Sequence, residues 1–270
     1  MSGSSRPSGT GYRERPSALR GAVVWEQPHS GARPVLPDGC MDLLWTPGRL
    51  LVAGPDTRAQ APTAPPGTRF AGIRLAPGTA PALLGVRARE LRDRRVALDG
   101  LWNAAEARRL TERVDAAADP AAELERIALD RAARAPSPPD PALAEVVRRL
   151  REGRTVADTA RAVGLGARQL HRRSLDAFGY GPKTLARVLR LQRALALIRD
   201  GVPYAAAAPA AGCADQAHLA REMRELAGTT LTAYTAAFPG AVSFPGAVSF
   251  SGAVSAKSET PVPSGSRITA

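Results

Sequence analysis

The stretch VADTARAVGLGARQLHRRSLDAFGY, residues 156–180, has the spacing of two short helices joined by a tight turn at Gly164. The first helix would place Val156 and Ala160 on one side, and the second would direct Leu170 toward them. A small Ala four residues before the turn Gly lets the two helices cross closely, as a helix-turn-helix unit requires. The surface of the second helix then carries the candidate contact residues Arg168, Gln169, His171, Arg172 and Arg173.

The same spacing returns 48 residues later, where Ala208 and Gly212 replace Ala160 and Gly164. The chain that follows, CADQAHLAREMRELAG, predicts a second surface helix with the candidate contact residues Gln216, His218 and Arg221. Between the units, the 19 residues from Pro182 to Asp200 predict one amphipathic helix. Such a helix is about 28 Å long. This length suits two units that enter major-groove faces about 34 Å apart.

The chemistry of these surfaces favours a nucleic-acid partner. Arg and Gln side chains make bidentate contacts with base edges in the major groove of DNA. The segment from Ala142 to Thr235 has 15 Lys and Arg against 8 Asp and Glu, a net charge of +7, and the whole chain carries +12. A GC-rich genome would also enrich Arg, so the charge alone does not decide the class. The repeated motif together with the charge predicts a partner of double-stranded DNA.

Two segments resemble the C-terminal domain of AraC/XylS-type transcriptional regulators: GLGARQLHRRSLDAFGYGPKTLARVLRLQRALALI and ADQAHLAREMRELAG. The resemblance covers about Ala142 to Tyr234. It implies a cytoplasmic, sequence-specific regulator that binds promoter DNA through two helix-turn-helix units and works with RNA polymerase. Ser174 and Met223 depart from the large aromatic that this family usually has there. Pro209 would fall inside a supporting helix, unless that helix begins only at Ala208.

The N-terminal half has the pattern of short strands followed by helices. Residues 22–29, 41–45, 48–54 and 68–78 read as strands of a small β-barrel or sandwich, and helical spacing begins at Thr79. The segments LPDGCMDLLW and GIRLAPGTAPALLGV resemble the N-terminal module of a subset of AraC-type regulators. The resemblance implies a cupin-like domain that senses a small-molecule effector or forms a homodimer.

These patterns predict an α+β protein with two domains. The N-terminal domain is expected to be a small β-barrel or cupin-like module with helices, and the C-terminal domain all-α, with two helix-turn-helix units on one long helix. The chain is predicted to divide into a disordered segment at 1–18, an N-terminal domain at 19–133, a linker at 134–141, a DNA-binding domain at 142–236, and a disordered tail at 237–270. The tail includes three copies of an FPGAVS-like repeat.

Two other classes of protein stay open at this stage. In the first, Cys40 marks a Cys-dependent enzyme or a DNA-repair methyl acceptor with an appended DNA-binding domain, although Asp38 and Asp42 would raise its thiol pKa. An architectural DNA-binding protein without an effector is the third reading. We expect no catalytic residue and no cofactor. We also expect no metal site, since no ligand partner is recognised near His171 or His218 in the sequence, and no membrane segment.

Overall fold

The N-terminal part is built on one antiparallel sheet. The computed structural model describes residues 11–28, 34–61, 64–136 and 138–237. The six strands of the described sheet pair in the order β1-β2-β5-β3-β4-β6. Their bounds are β1 Arg13–Pro16, β2 Val23–Pro28, β3 Met41–Thr46, β4 Arg49–Ala53, β5 Arg69–Leu75 and β6 Arg95–Ala97.

The sheet confirms the predicted strands and the α+β class, but it is not a closed barrel. Strand β3 pairs with β4 across a turn at Gly48, so that Trp45 lies opposite Leu50. Strands β1 and β6 each have one neighbour in the described sheet, which is therefore open and cupin-like in its antiparallel order. Regular structure begins earlier in the chain than predicted. Strand β1 lies within the segment that was predicted to be disordered, and it pairs with β2.

Among the described residues of the N-terminal part there are four α-helices, α1 Ala80–Leu84, α2 Ala88–Leu91, α3 Ala104–Asp115 and α4 Pro120–Arg134, and a 3-10 helix at Leu98–Gly100. Helix α4 packs on the sheet, where Leu124 and Ile127 join Leu43 and Ile73 in a common core. Helix α2 has only four residues, since Asp93 adopts a left-handed φ of 58° just beyond it. The chain then forms β6, which the helical spacing of this segment did not predict.

Seven helices form the C-terminal part within residues 138–237: α5 Pro141–Arg151, α6 Val156–Ala162, α7 Ala167–Phe178, α8 Pro182–Arg199, α9 Tyr204–Ala211, α10 Gln216–Ala227 and α11 Leu231–Ala237. The first unit consists of α5, α6 and α7, and the second of α9, α10 and α11. Helix α8 serves both. Its Leu185 and Leu189 enter the core of the first unit. Its Val188, Leu191 and Leu195 enter the core of the second.

Between the two parts, α4 ends at Arg134 and α5 begins at Pro141, where Asp140 caps it by accepting from the Ala142 N–H at 2.9 Å. The predicted repeat tail lies outside the described residues, apart from Ala237 at the end of α11. No described helix combines the length and the apolar composition that a bilayer crossing needs.

Candidate nucleic-acid interface

Both helix-turn-helix turns are built by the same backbone motif. In the first, the Leu165 N–H donates to the Ala160 carbonyl at 2.9 Å and the Gly164 N–H to Arg161 at 3.1 Å. In the second, Cys213 donates to Ala208 at 2.9 Å. This is the Schellman end of a helix, which needs a left-handed residue. Gly164 and Gly212 supply it, with φ of 67° and 91°. The repeated Ala-x-x-x-Gly spacing thus encodes two identical helix ends.

The segment between the turn glycine and the start of the surface helix is one residue longer in the second unit than in the first. Gly166 is the N-cap of α7, whereas Asp215 is the N-cap of α10, a shift of 49 rather than 48 positions. The buried Leu170 of α7 therefore corresponds to Leu219 of α10. The added residue also places His218 at the position of Gln169, and His171 has no histidine counterpart on α10.

Helix α7 presents its basic side chains to solvent. Arg172 lies two residues from both Leu170 and Ser174, which is about 200° around the helix from this buried pair. Arg168 is exposed one turn earlier, and neither arginine has an ion pair among the described residues. Both guanidinium groups are therefore available to a ligand.

The other three candidate residues of α7 are exposed but have partners within the protein. The Gln169 side-chain oxygen accepts from the Gly166 N–H at 3.2 Å, so it caps the start of the helix. Arg173 pairs with Asp140 at 3.3 Å. The His171 ring lies against Gly181, where an added methyl group would approach it to 2.8 Å. These residues flank the face that Arg168 and Arg172 occupy.

On α10 the equivalent face carries less positive charge. Arg221 corresponds to Arg172, is exposed, and has no ion pair in the described chain. Gln216 is exposed at the first helical position. His218 is half-buried, and its Nδ1 accepts from the Ala214 N–H at 3.1 Å. The charges of Arg221 and Arg224 are balanced by Glu222 and Glu225 on the same helix, whereas α7 has three arginines and one aspartate.

A buried ion cluster fixes α10 to the shared helix α8. The Glu222 side chain is only 4 % exposed, and its oxygens receive Arg190 Nε at 3.0 Å and Arg190 Nη2 at 2.8 Å. Arg187 approaches the same carboxylate at 3.4 Å and also pairs with Glu225. Two arginines of α8 therefore hold the second unit together and are not free for DNA.

The N-terminal part contacts both units. Residues 35–37 and 59–60 form a clamp on the second unit, in which Leu36 enters its core. The Ala59 N–H donates to the Leu226 carbonyl at 2.7 Å, and Gln192 Nε2 donates to the Pro37 carbonyl at 2.6 Å. Against the first unit, Arg89 pairs with Asp176 at 3.3 Å. Asp176 lies one turn beyond Arg172 on α7, so the Arg89 contact borders the C-terminal end of the face that Arg168 and Arg172 occupy.

Cys40 lacks the surroundings of a reactive thiol. Burial raises the pKa of this thiol well above its ordinary value, and the neighbouring Asp38 carboxylate raises it further. The catalytic thiolates of enzymes are stabilised in exposed, electropositive sites. Cys40 is buried at the start of β3, which suits a structural role.

The sequence was compared with protein families and curated proteins. Residues 159–237 match a family described as a helix-turn-helix domain. Residues 22–97 match a second family, described as a domain of unknown function, DUF6597. No curated protein matches the chain.

Solved structures of ToxT from Vibrio cholerae are also similar to this chain. One is 10 % identical with a TM-score of 0.46, and the match covers 85 % of this chain and 99 % of that one. An apo variant is 11 % identical at 0.45, with 85 % and 98 % covered. ToxT with a bound unsaturated fatty acid is 11 % identical at 0.42, with 85 % and 96 % covered. At these values neither a residue role nor a ligand of ToxT transfers to this chain.

Proposed function

We propose that the chain is a sequence-specific transcription regulator of the AraC/XylS type, which recognises promoter sequences with both of its helix-turn-helix units. The observation that carries this proposal is that two identical helix ends each precede a helix with an exposed arginine, without an ion pair in the described chain, at equivalent positions, Arg172 and Arg221. Recognition helices of this kind enter the major groove and read base edges with a few side chains.

We assign different roles to the candidate residues by their surroundings. Arg168 and Arg172 are free to reach bases, since Arg pairs in bidentate fashion with guanine. Arg173 and His171 flank this face and suit phosphate contacts. Gln169 and His218 hold the starts of their helices, which places them near DNA while part of their hydrogen-bonding capacity is used. Gln216 and Arg221 are the exposed readers of the second unit.

The N-terminal part is the place where a signal would enter. We propose that it senses a small-molecule effector or forms a homodimer, and that the clamp of residues 35–37 and 59–60 passes the change to the second unit. The clamp supports this role because it joins a backbone hydrogen bond at the end of α10 to an apolar contact in the core of that unit. A cytoplasmic location and contact with RNA polymerase follow from the same proposal.

Selection of bound duplexes from a randomised pool by the full chain tests the proposal. We expect a bipartite sequence to be enriched, and the logarithm of the affinity to fall linearly with the logarithm of the salt concentration. The control is the variant Arg126→Ala, which removes one positive charge from α4, away from the two units. It should bind and select duplexes as the unchanged chain does. Binding without enrichment would instead indicate an architectural protein. Absence of binding to any duplex at low salt would contradict the proposal altogether.

A further inference from the structure

Three metal-ligating side chains of different chemistry meet at the turn of the second unit. Cys213 follows the turn glycine, His218 is the third residue of α10, and Glu222 lies one turn further along the same helix face. The ligand atoms of the three residues all lie within 4.8 Å of one another. The expectation that His218 has no possible metal partner is therefore wrong. The spacing Cys-x4-His-x3-Glu, with His and Glu at i and i+4, is the signal that sequence reasoning missed.

The donor set fits a divalent ion of the zinc class. Zinc accepts thiolate sulfur, imidazole nitrogen and carboxylate oxygen, and open sites have three protein ligands with water as the fourth. A tetrahedral site places its ligand atoms roughly 3.3–3.8 Å apart. The ligand atoms of the three residues lie up to 4.8 Å apart, so their side chains would have to move about 1 Å closer together to bind an ion. Hard ions such as magnesium prefer a set made only of oxygens.

Two protein groups now occupy the places that a metal would use. The Arg190 guanidinium holds both Glu222 oxygens, at 3.0 and 2.8 Å. His218 Nε2 lies 3.5 Å from Glu222, while its Nδ1 accepts from Ala214. An ion would therefore have to displace Arg190, whose side chain is 26 % exposed and can move into solvent. Coordination by His218 through either ring nitrogen would also release the Ala214 N–H, and this exposed residue can bind water instead.

We propose that Cys213, His218 and Glu222 form a binding site for a single zinc-class ion, in exchange with the Arg190 guanidinium. On binding, the Cys213 thiol loses its proton to solvent and its sulfur forms the metal bond. The half-buried His218 gives access to a site whose other two ligands are buried. The bound ion would join the turn directly to α10, the helix that carries Arg221.

Titration of the full chain with Co2+ tests this site without any DNA, so its result is independent of the proposed function. Cobalt bound to a thiolate shows a charge-transfer absorption band, and we expect this band at one equivalent of metal. Cys213→Ser should abolish the band. Cys40→Ser is the matched control, which should retain the band, since this buried cysteine directly precedes β3 and is not one of the three ligands.

Two further variants separate coordination from folding. Glu222→Gln should weaken cobalt binding about tenfold or more, the scale of changes around metal ligands. Arg190→Ala should tighten it, because the competing cation is removed. Zn2+ should raise the melting temperature of the wild type but not of Cys213→Ser. No thiolate band in the wild type would overturn the proposal, and so would an unchanged band in a Cys213→Ser protein with native circular dichroism.

Discussion

Arg172 and Arg221 occupy equivalent positions in the two units but have different neighbours. Arg172 shares its exposed face with the unpaired Arg168. Arg221 lies on a helix whose net charge is neutral, beside Glu225. Phosphate contacts position a protein on DNA, whereas contacts with base edges carry the specificity. The first unit therefore has the greater share of candidate base contacts.

The first prediction follows from this difference. Arg172→Ala should weaken binding to the selected sequence by about 1–3 kcal/mol and relax one base position. Arg221→Ala should weaken all sequences more evenly. Both variants are measured against the same randomised duplex library. Equal loss of sequence preference would show that the second unit reads bases as strictly as the first.

The second prediction concerns pH and the carboxylate that fastens β1. Arg15 Nη2 lies 2.6 Å from Glu125, and Ser17 Oγ and the Ala18 N–H donate to it at 2.7 Å. These contacts, the Arg15 hydrogen bond above all, lower the pKa of Glu125 from 4.5 to about 2. The stabilisation is therefore complete above about pH 4.5 and disappears as the pH falls through about 2.

Glu125→Gln should lower the free energy of unfolding by about 1–3 kcal/mol at pH 7, after allowance for solvent screening. The loss should shrink as the pH falls from about 4.5 to about 2, because the wild type loses its advantage in this window. Urea unfolding across this pH range measures the effect. Glu112→Gln, at an exposed residue of α3 without an ion pair in the described chain, is the control and should show no such trend.

At the level of single residues, the sequence predicted the exposure of the candidate contact residues but not their partners within the protein. The exposed positions of Arg168 and Arg172 follow from helical periodicity around Leu170. The additional residue before Asp215 was not visible, because the same Ala and Gly anchors precede a turn of either length. The ion cluster at Glu222 was missed because it depends on the packing of α8 against α10, which periodicity does not determine.

Helix α9 contains a proline in its interior. It begins at Tyr204, so Pro209 is its sixth residue and the first-turn alternative is wrong. An interior proline leaves the carbonyl four residues earlier without its helical donor. That residue is Ala205, and both Ala205 and Pro209 are exposed, so water can satisfy this carbonyl. The helix therefore persists with one missing bond on its solvent side.

The third prediction is that Pro209→Ala stabilises the second unit. The restored hydrogen bond and the relief of crowding should raise the free energy of unfolding by about 1–3 kcal/mol, reduced by the greater freedom of the unfolded chain. Thermal unfolding measures it. Pro203→Ala is the matched control, because Pro203 is the N-cap and gains no bond within the helix. A loss of stability in Pro209→Ala would show that the proline ring has a packing role.

Among the elements, those with strong periodicity or clear turns were predictable. Strands β2 to β5 and the long helices match their apolar patterns, and Gly48 marks the hairpin between β3 and β4. Strand β1 was missed because its residues, RERP, are all exposed and charged or proline, as suits a sheet edge. Its order depends on Glu125, which lies more than a hundred residues away.

The clamp links the two parts of the molecule through few residues. Leu36 is 4 % exposed and packs in the second-unit core, whereas its neighbour Val35 is 53 % exposed. The two residues therefore lie on opposite faces of one short extended segment. Substitutions at these two neighbouring residues therefore separate the effect of losing a buried side chain from any effect of changing the backbone of this segment.

The fourth prediction uses this contrast. Leu36→Ala should destabilise the second unit by about 2–5 kcal/mol, the scale of a buried Leu truncation, and loosen its contact with the N-terminal part. Hydrogen exchange of the amides in α10 measures the change, and Val35→Ala should leave exchange nearly unaltered. If both variants exchange alike, the clamp does not depend on the apolar contact of Leu36.

Helix α8 has a further consequence for the spacing of any DNA site. Its 18 residues enter both cores, and the neighbours Val188 and Leu189 already belong to different ones. The helix thus has no stretch that could bend or slip without disturbing one of the units. Inserting a single residue would rotate one unit against the other by about 100°. On B-DNA this equals the turn of about three base pairs. The helical phase between the two half-sites is therefore set by the protein, and their separation has to be read as a fixed number of base pairs.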